Sequence, residues 1–154
     1  MNTICKGILL IAACGLGANV SARDSSETAT AKPGCEANYK QEGSFFGGRR
    51  FSTSDVLAGV GRDDAFRRIY AELVKSGFKV GTSDKEMGML TTEYVATHNN
   101  ASIALPLNVV IEPAGTDIKV TVNKTTPGGY ATSQEFQIRQ MCEVIAAARG
   151  KDAR

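Results

Sequence analysis

A chain of 154 residues has room for one domain of ordinary size, and 42% apolar residues exclude a disordered composition. A formal charge of +2, from 18 basic and 16 acidic side chains, excludes the strongly basic footprint of a nucleic-acid binder. One histidine, His98, and four cysteines leave too few soft ligands for a dedicated zinc or iron site, so no cofactor or metal is expected.

The N-terminus has the pattern of an export signal over residues 1–22. Lys6 closes a short positive region, Gly7 to Val20 is apolar and small, and Val20-Ser21-Ala22 offers a small-residue cleavage site. The run is too short and too rich in glycine to remain as a membrane-spanning helix. A rival processing site overlaps it. Ile11-Ala12-Ala13-Cys14-Gly15 looks like the lipobox of bacterial lipoproteins, in which Cys14 is lipidated and becomes a lipid anchor. Leu16, Ala18 and Val20 carry the apolar run past Cys14, which favours cleavage after Ala22. The first route leads to the periplasm, the second to an outer-membrane lipoprotein.

Residues 23–34 (RDSSETATAKPG) read as a flexible polar tether, 35–150 as a single folded domain and 151–154 as a basic tail. With Cys5 and Cys14 inside the signal, the domain keeps Cys35 and Cys142, one near each end. In an oxidising compartment the pair is expected to close a loop of on the order of 100 residues, worth up to about 4–5 kcal/mol in the chain-entropy model. Two unpaired thiols are the alternative.

The stretch from Cys35 to Arg50 reads first as a loop whose Phe side chains pack on the domain, with a strand entry carrying a bulge or an exposed interaction loop as alternatives; Phe45, Phe46, Arg49 and Arg50 are the candidate interaction residues, and Phe51 to Leu57 adds a leading strand of poor alternation. A helix follows. Ala65, Phe66, Ile69, Tyr70, Leu73 and Val74 form one stripe at helical spacing, Asp63 or Asp64 caps its start, and Gly77 supplies a left-handed stop. Phe78–Thr82 and Met89–Ala96 are strands joined by the turn residues Ser83 to Gly88, and Thr97-His98-Asn99-Asn100 is a further turn.

The clearest pattern lies beyond it. Ile103, Leu105, Leu107, Val109 and Ile111 alternate with smaller or polar residues, Pro113-Ala114-Gly115-Thr116 turns the chain, and Ile118, Val120 and Val122 continue the alternation. This is a hairpin with one apolar face, which needs a cover. Pro106 lacks a ladder donor and marks an edge or a bulge. Thr132-Ser133-Gln134-Glu135 opens a last helix by a capping-box pattern, and Ile138, Met141, Val144, Ile145 and Ala148 share one face with Cys142 at its margin. The expected fold is therefore α+β: a two-layer sandwich in which an antiparallel meander of four to five strands carries two helices on one face.

Signals for catalysis are weak. His98 sits in an Asn-rich turn, and Gly59-Val60-Gly61 lacks the third glycine of a dinucleotide fingerprint. Arg49, Arg50, Arg62, Arg67 and Arg68 lie close in sequence and read either as a solvated face or as a surface for an anionic partner.

The run from Asp64 through Gly77-Phe78 to Ser83-Asp84-Lys85-Glu86-Met87-Gly88 and Thr92 is similar to a pattern in small bacterial envelope lipoproteins: amphipathic helix, Gly-aromatic, strand, Ser-Asp turn, strand. It most resembles the helix-grip domains of the BamC type, from the outer-membrane β-barrel assembly machinery. The likeness covers roughly residues 60–95, concerns turns and packing, and carries no catalytic residues. It implies a helix-grip fold and an envelope location. A non-enzymatic protein-binding or assembly role, with an envelope protein or complex as partner, is the expected function. The alternative is a periplasmic carrier of a small apolar or lipid ligand.

Overall fold

Period-two alternation builds the sheet and period-3.6 stripes build the helices that cover it. The computed structural model describes residues 34–98 and 101–150. The expected signal, Cys14, residues 23–33 of the tether, the tail and the turn residues Asn99 and Asn100 lie outside the described residues. The order is α1 (Gly34–Ala37), β1 (Lys40–Ser44), β2 (Gly48–Leu57), α2 (Arg62–Lys75), β3 (Lys79–Asp84), β4 (Met89–His98), β5 (Ala101–Ala114), β6 (Asp117–Thr126) and α3 (Gln134–Arg149).

Among the described residues the class is α+β, with one open antiparallel sheet of six strands in the order β1-β2-β6-β5-β4-β3. The expected meander of four to five strands was too small. β3 to β6 do form a meander, but the expected loop over 35–50 holds the short helix α1 and the strand β1, which forms a hairpin with β2. All five residues of β1 are exposed, so they carry no apolar alternation by which to be recognised. The strand β2 alternates poorly because Thr53 and Asp55 take inward positions, where the Thr53 hydroxyl donates to the Cys35 carbonyl.

Successive antiparallel pairings leave β2 and β3 parallel and far apart in the sheet. Only a crossover can join them, and α2 makes it over the apolar face. Leu107, Val109 and Ile111 of β5, Ile118, Val120 and Val122 of β6, Phe51 and Leu57 of β2 and Leu90 of β4 join Ile69 and Leu73 of α2 and Met141, Val144 and Ile145 of α3 in one core. Each such side chain contributes roughly 1.5–3 kcal/mol on burial.

The stripe of α2 is narrower than expected. Ala65, Phe66, Ile69 and Leu73 are buried, whereas Tyr70 and Val74 are 40% and 49% exposed. Its cap also differs: Gly61 is the N-cap, with no side-chain bond, and Asp63 and Asp64 fall inside the first turn, where they still complement the helix dipole. Gly77 is the expected stop, at φ +82°. The Gly77 N–H donates to the Val74 carbonyl and the Phe78 N–H to the Leu73 carbonyl, a Schellman closure. In α3 the cap is Ser133, accepting from the Phe136 N–H, while the Thr132 hydroxyl accepts from the Gln137 side chain instead.

Pro106 lies within an inner strand, opposite Glu93 of β4. The ladder to β6 begins only at Leu107, so β5 is locally an edge over 101–106 and the missing donor is tolerated.

Candidate functional site

The disulfide organises the first candidate site. Cys35 and Cys142 are bonded across 107 positions of sequence, with Cα atoms 5.7 Å apart. The bond ties α1 to the middle of α3. Four residues are too few for a helix to be stable alone; α1 is held by this bond, by the Thr53 hydroxyl and by the Asn38 side chain, which donates to the Ser54 carbonyl (2.9 Å).

Between α1 and α3 runs an open groove of about 880 Å³. Its floor is the disulfide with Ile138, Ile145 and Ala146. Four carboxylates (Glu36, Asp55, Glu135, Glu143) and two guanidinium groups (Arg139, Arg149) line it. Asp55 and Arg149 neutralise each other in a 2.8 Å ion pair. Glu36, Glu135 and Glu143 then outnumber Arg139, and the groove is apolar below and acidic at its rim.

The second site is the β1–β2 turn. Phe45 and Phe46 stand at its tip, ring centroids 5.3 Å apart and edge to face; Phe46 is 89% exposed. The Arg49 guanidinium lies 5.9 Å from the Phe45 ring. Of the expected interaction residues, Phe45, Phe46 and Arg49 are thus brought together, while Arg50, next in β2, faces the other side of the hairpin. The tip is braced from behind: the Gly129 N–H donates to the Phe45 carbonyl (2.8 Å) and the Gly47 N–H to the Ser44 hydroxyl (3.0 Å). At Gly128 a Cβ would stand 2.1 Å from the Phe46 carbonyl oxygen, so only glycine permits this approach.

The other expected arginines do not join that cluster. Arg62 donates to the Ile111 and Glu86 carbonyls, Arg67 pairs with Asp64 (2.8 Å), and Arg68 donates to the Ala148 and Arg149 carbonyls at the end of α3. They fasten turns and helix ends. Asp63 pairs with Lys85 (2.7 Å), whose hydrogen bond lowers its pKa. His98 ends β4, paired with Ala101. Among the described residues no group of three or more His, Cys, Asp or Glu could hold a metal, and no helix is long and apolar enough to cross a membrane.

Sequence reasoning overlooked a third feature, a buried polar cluster where β6 meets α3. Lys124 is 3% exposed; its amine donates to the Gln140 side-chain carbonyl and lies 5.8 Å from the Phe136 ring. Burial pushes its pKa down to about 8. Gln137 and Thr126 are buried nearby in sequence register, on the inward faces of α3 and β6. Parity was the available signal, because Lys124 and Thr126 continue the inward series Ile118, Val120, Val122. Burial also raises the pKa of Tyr39, whose ring stacks on Phe51, with Arg49 opposing and Glu135 adding to the shift.

No protein-family model matches the chain, and no curated protein matches its sequence. Among solved structures, a conserved protein of unknown function from Enterococcus faecalis is similar over 77% of this chain and 83% of its own, at 8% identity and a TM-score of 0.48. A TBP-like protein from Parabacteroides distasonis is similar over 66% and 94%, at 13% identity and a TM-score of 0.40. A protein from Bacteroides thetaiotaomicron follows at 11% identity, 72% and 41% coverage and a TM-score of 0.27. Likenesses this loose carry no functional argument.

Proposed function

We propose that this chain is a non-enzymatic, exported protein of the bacterial envelope, periplasmic or tethered to the outer membrane through Cys14. Its two-layer, helix-grip-like domain binds an extended segment of a partner protein in the groove between α1 and α3. The observation that carries the reading is the pairing of an apolar floor with the unbalanced carboxylates Glu36, Glu135 and Glu143. That combination suits a peptide with small apolar side chains and basic flanks. A disulfide at the floor fits an oxidising compartment, as export requires. A carrier holding its ligand between sheet and helices draws less support. That layer is filled by Ile69, Leu73, Leu107, Val109, Ile111, Met141 and Ile145, each no more than 2% exposed.

A photo-crosslinking residue at Ala146, in the groove, tests this in living cells. One discrete protein adduct is expected, lost in a Glu135→Arg, Glu143→Arg background and absent when the same group replaces Lys119 on the open sheet face. An adduct indifferent to the charge reversal, or no adduct at native expression, overturns the groove as the binding site.

A further inference from the structure

Phe46 is nine-tenths exposed on a backbone too well braced for the exposure to reflect a loose loop. A ring held in water at the end of a hairpin forgoes the stabilisation of burial, and its neighbours suggest what relieves it. Arg49 and Arg50 are consecutive in β2, so their side chains leave opposite faces of the hairpin. Two aromatic rings at the tip and one guanidinium on each flank match the layering of a lipid interface: rings at the acyl boundary, cations at phosphate level.

Behind the tip lies a polar hollow of about 370 Å³. Its lining includes Arg49, Arg50, Glu42, Thr125 and Thr126; cross-strand pairing sets Arg49 beside Thr126 on one face and Arg50 between Glu42 and Thr125 on the other. The Thr126 hydroxyl is buried and finds no hydrogen-bond partner among the described residues. It lies on the inward face of β6, the face it shares with Arg49.

We propose that the Phe45–Arg50 tip docks the domain onto an anionic phospholipid surface, with Phe46 among the acyl chains and Arg49 and Arg50 at the level of the headgroup phosphates. The inference stands on residues apart from the groove between α1 and α3, and fails or survives independently of it.

The test is flotation of the exported full chain carrying Cys14→Ser, which leaves no acyl anchor to substitute for the tip. Vesicles of phosphatidylcholine alone are compared with vesicles that also contain phosphatidylglycerol. Binding to the anionic vesicles is expected to weaken with salt. Phe46→Ser, at an exposed position that leaves folding intact, should weaken it roughly tenfold or more, and Arg50→Gln by about fivefold. Equal binding of wild type and Phe46→Ser, or no binding to either vesicle, overturns the proposal. So does competition by soluble glycerol phosphate with no effect of Phe46→Ser, because that pattern describes a site for free phosphate. Crosslinking of the tip to an envelope protein, with vesicles left unbound, would assign the tip to a protein partner and equally overturn it.

Discussion

Lys124 shows how one residue can be placed against its chemistry. Its position on β6 points it inward, where its amine keeps a hydrogen bond to Gln140 and the face of Phe136 but loses water. Burial therefore lowers its pKa from 10.5 to about 8. The unfolded chain holds that proton up to the ordinary lysine value, so between pH 8 and 10.5 the unfolded state binds more protons than the folded one. Stability contributed by this residue rises with pH across that window, and below pH 8 the penalty of burying the cation is felt in full. Lys124→Met keeps the length and removes the charge. It should raise stability at pH 7 by roughly 1–2 kcal/mol, with the gain shrinking toward pH 10.5. Urea midpoints at pH 7 and pH 10 check this; an equal gain at both would assign the effect to packing.

Helix α2 holds the crossover and shows which local signals survive into the fold. Its C-terminus was legible, because Gly77 followed by an aromatic residue is a stop with a mechanism: the left-handed turn lets Phe78 fold back onto Leu73. Its N-terminus was misjudged, since an aspartate one or two residues later satisfies the dipole as well as a true cap does, and sequence cannot choose between Gly61 and Asp63. The stripe was read too wide for a related reason. A helix resting on α3 and β5 buries one narrow side, and periodicity alone cannot say that Tyr70 and Val74 fall outside it. The two ends predict opposite responses. Gly77→Ala should cost about 1–2 kcal/mol, the penalty of a left-handed alanine, because the nearest atom, Tyr94 Cε2 at 3.7 Å, leaves room for the methyl. Gly61→Ser should gain a few tenths of a kcal/mol, roughly the difference between those caps. Denaturant midpoints of the two variants read both numbers, and a neutral Gly77→Ala would mean that the stop is not held at φ +82°.

Across the whole molecule, the parts legible in the sequence are those that bury an apolar face: the meander, the crossover helix and α3. What the sequence concealed depends on polar residues held by distant partners. Strand β1 is exposed along its length, Thr53 and Asp55 are inward but satisfied by Cys35 and Arg149, and α1 has no stability of its own. The candidate groove was hidden for the same reason, since α1 forms one wall. The cysteines alone signalled that the two ends of the domain meet. Their bond closes a loop spanning 107 positions, so reducing it frees the unfolded chain over almost the whole folded region. We expect reduction, or Cys35→Ala with Cys142→Ala, to cost about 2–4 kcal/mol and to steepen the denaturant dependence as the unfolded state expands. The helix α1 should respond first, because without the bond its four residues keep the hydrogen bonds of Thr53 and Asn38 and the packing of Cys35 alone against the core. Hydrogen exchange at 34–38 should therefore accelerate under reduction while Ile69 and Val120 stay protected, and the Ala146 crosslink should be lost before the domain unfolds. Protection at 34–38 unchanged by reduction would show that α1 is seated by packing, and that the groove does not depend on the disulfide.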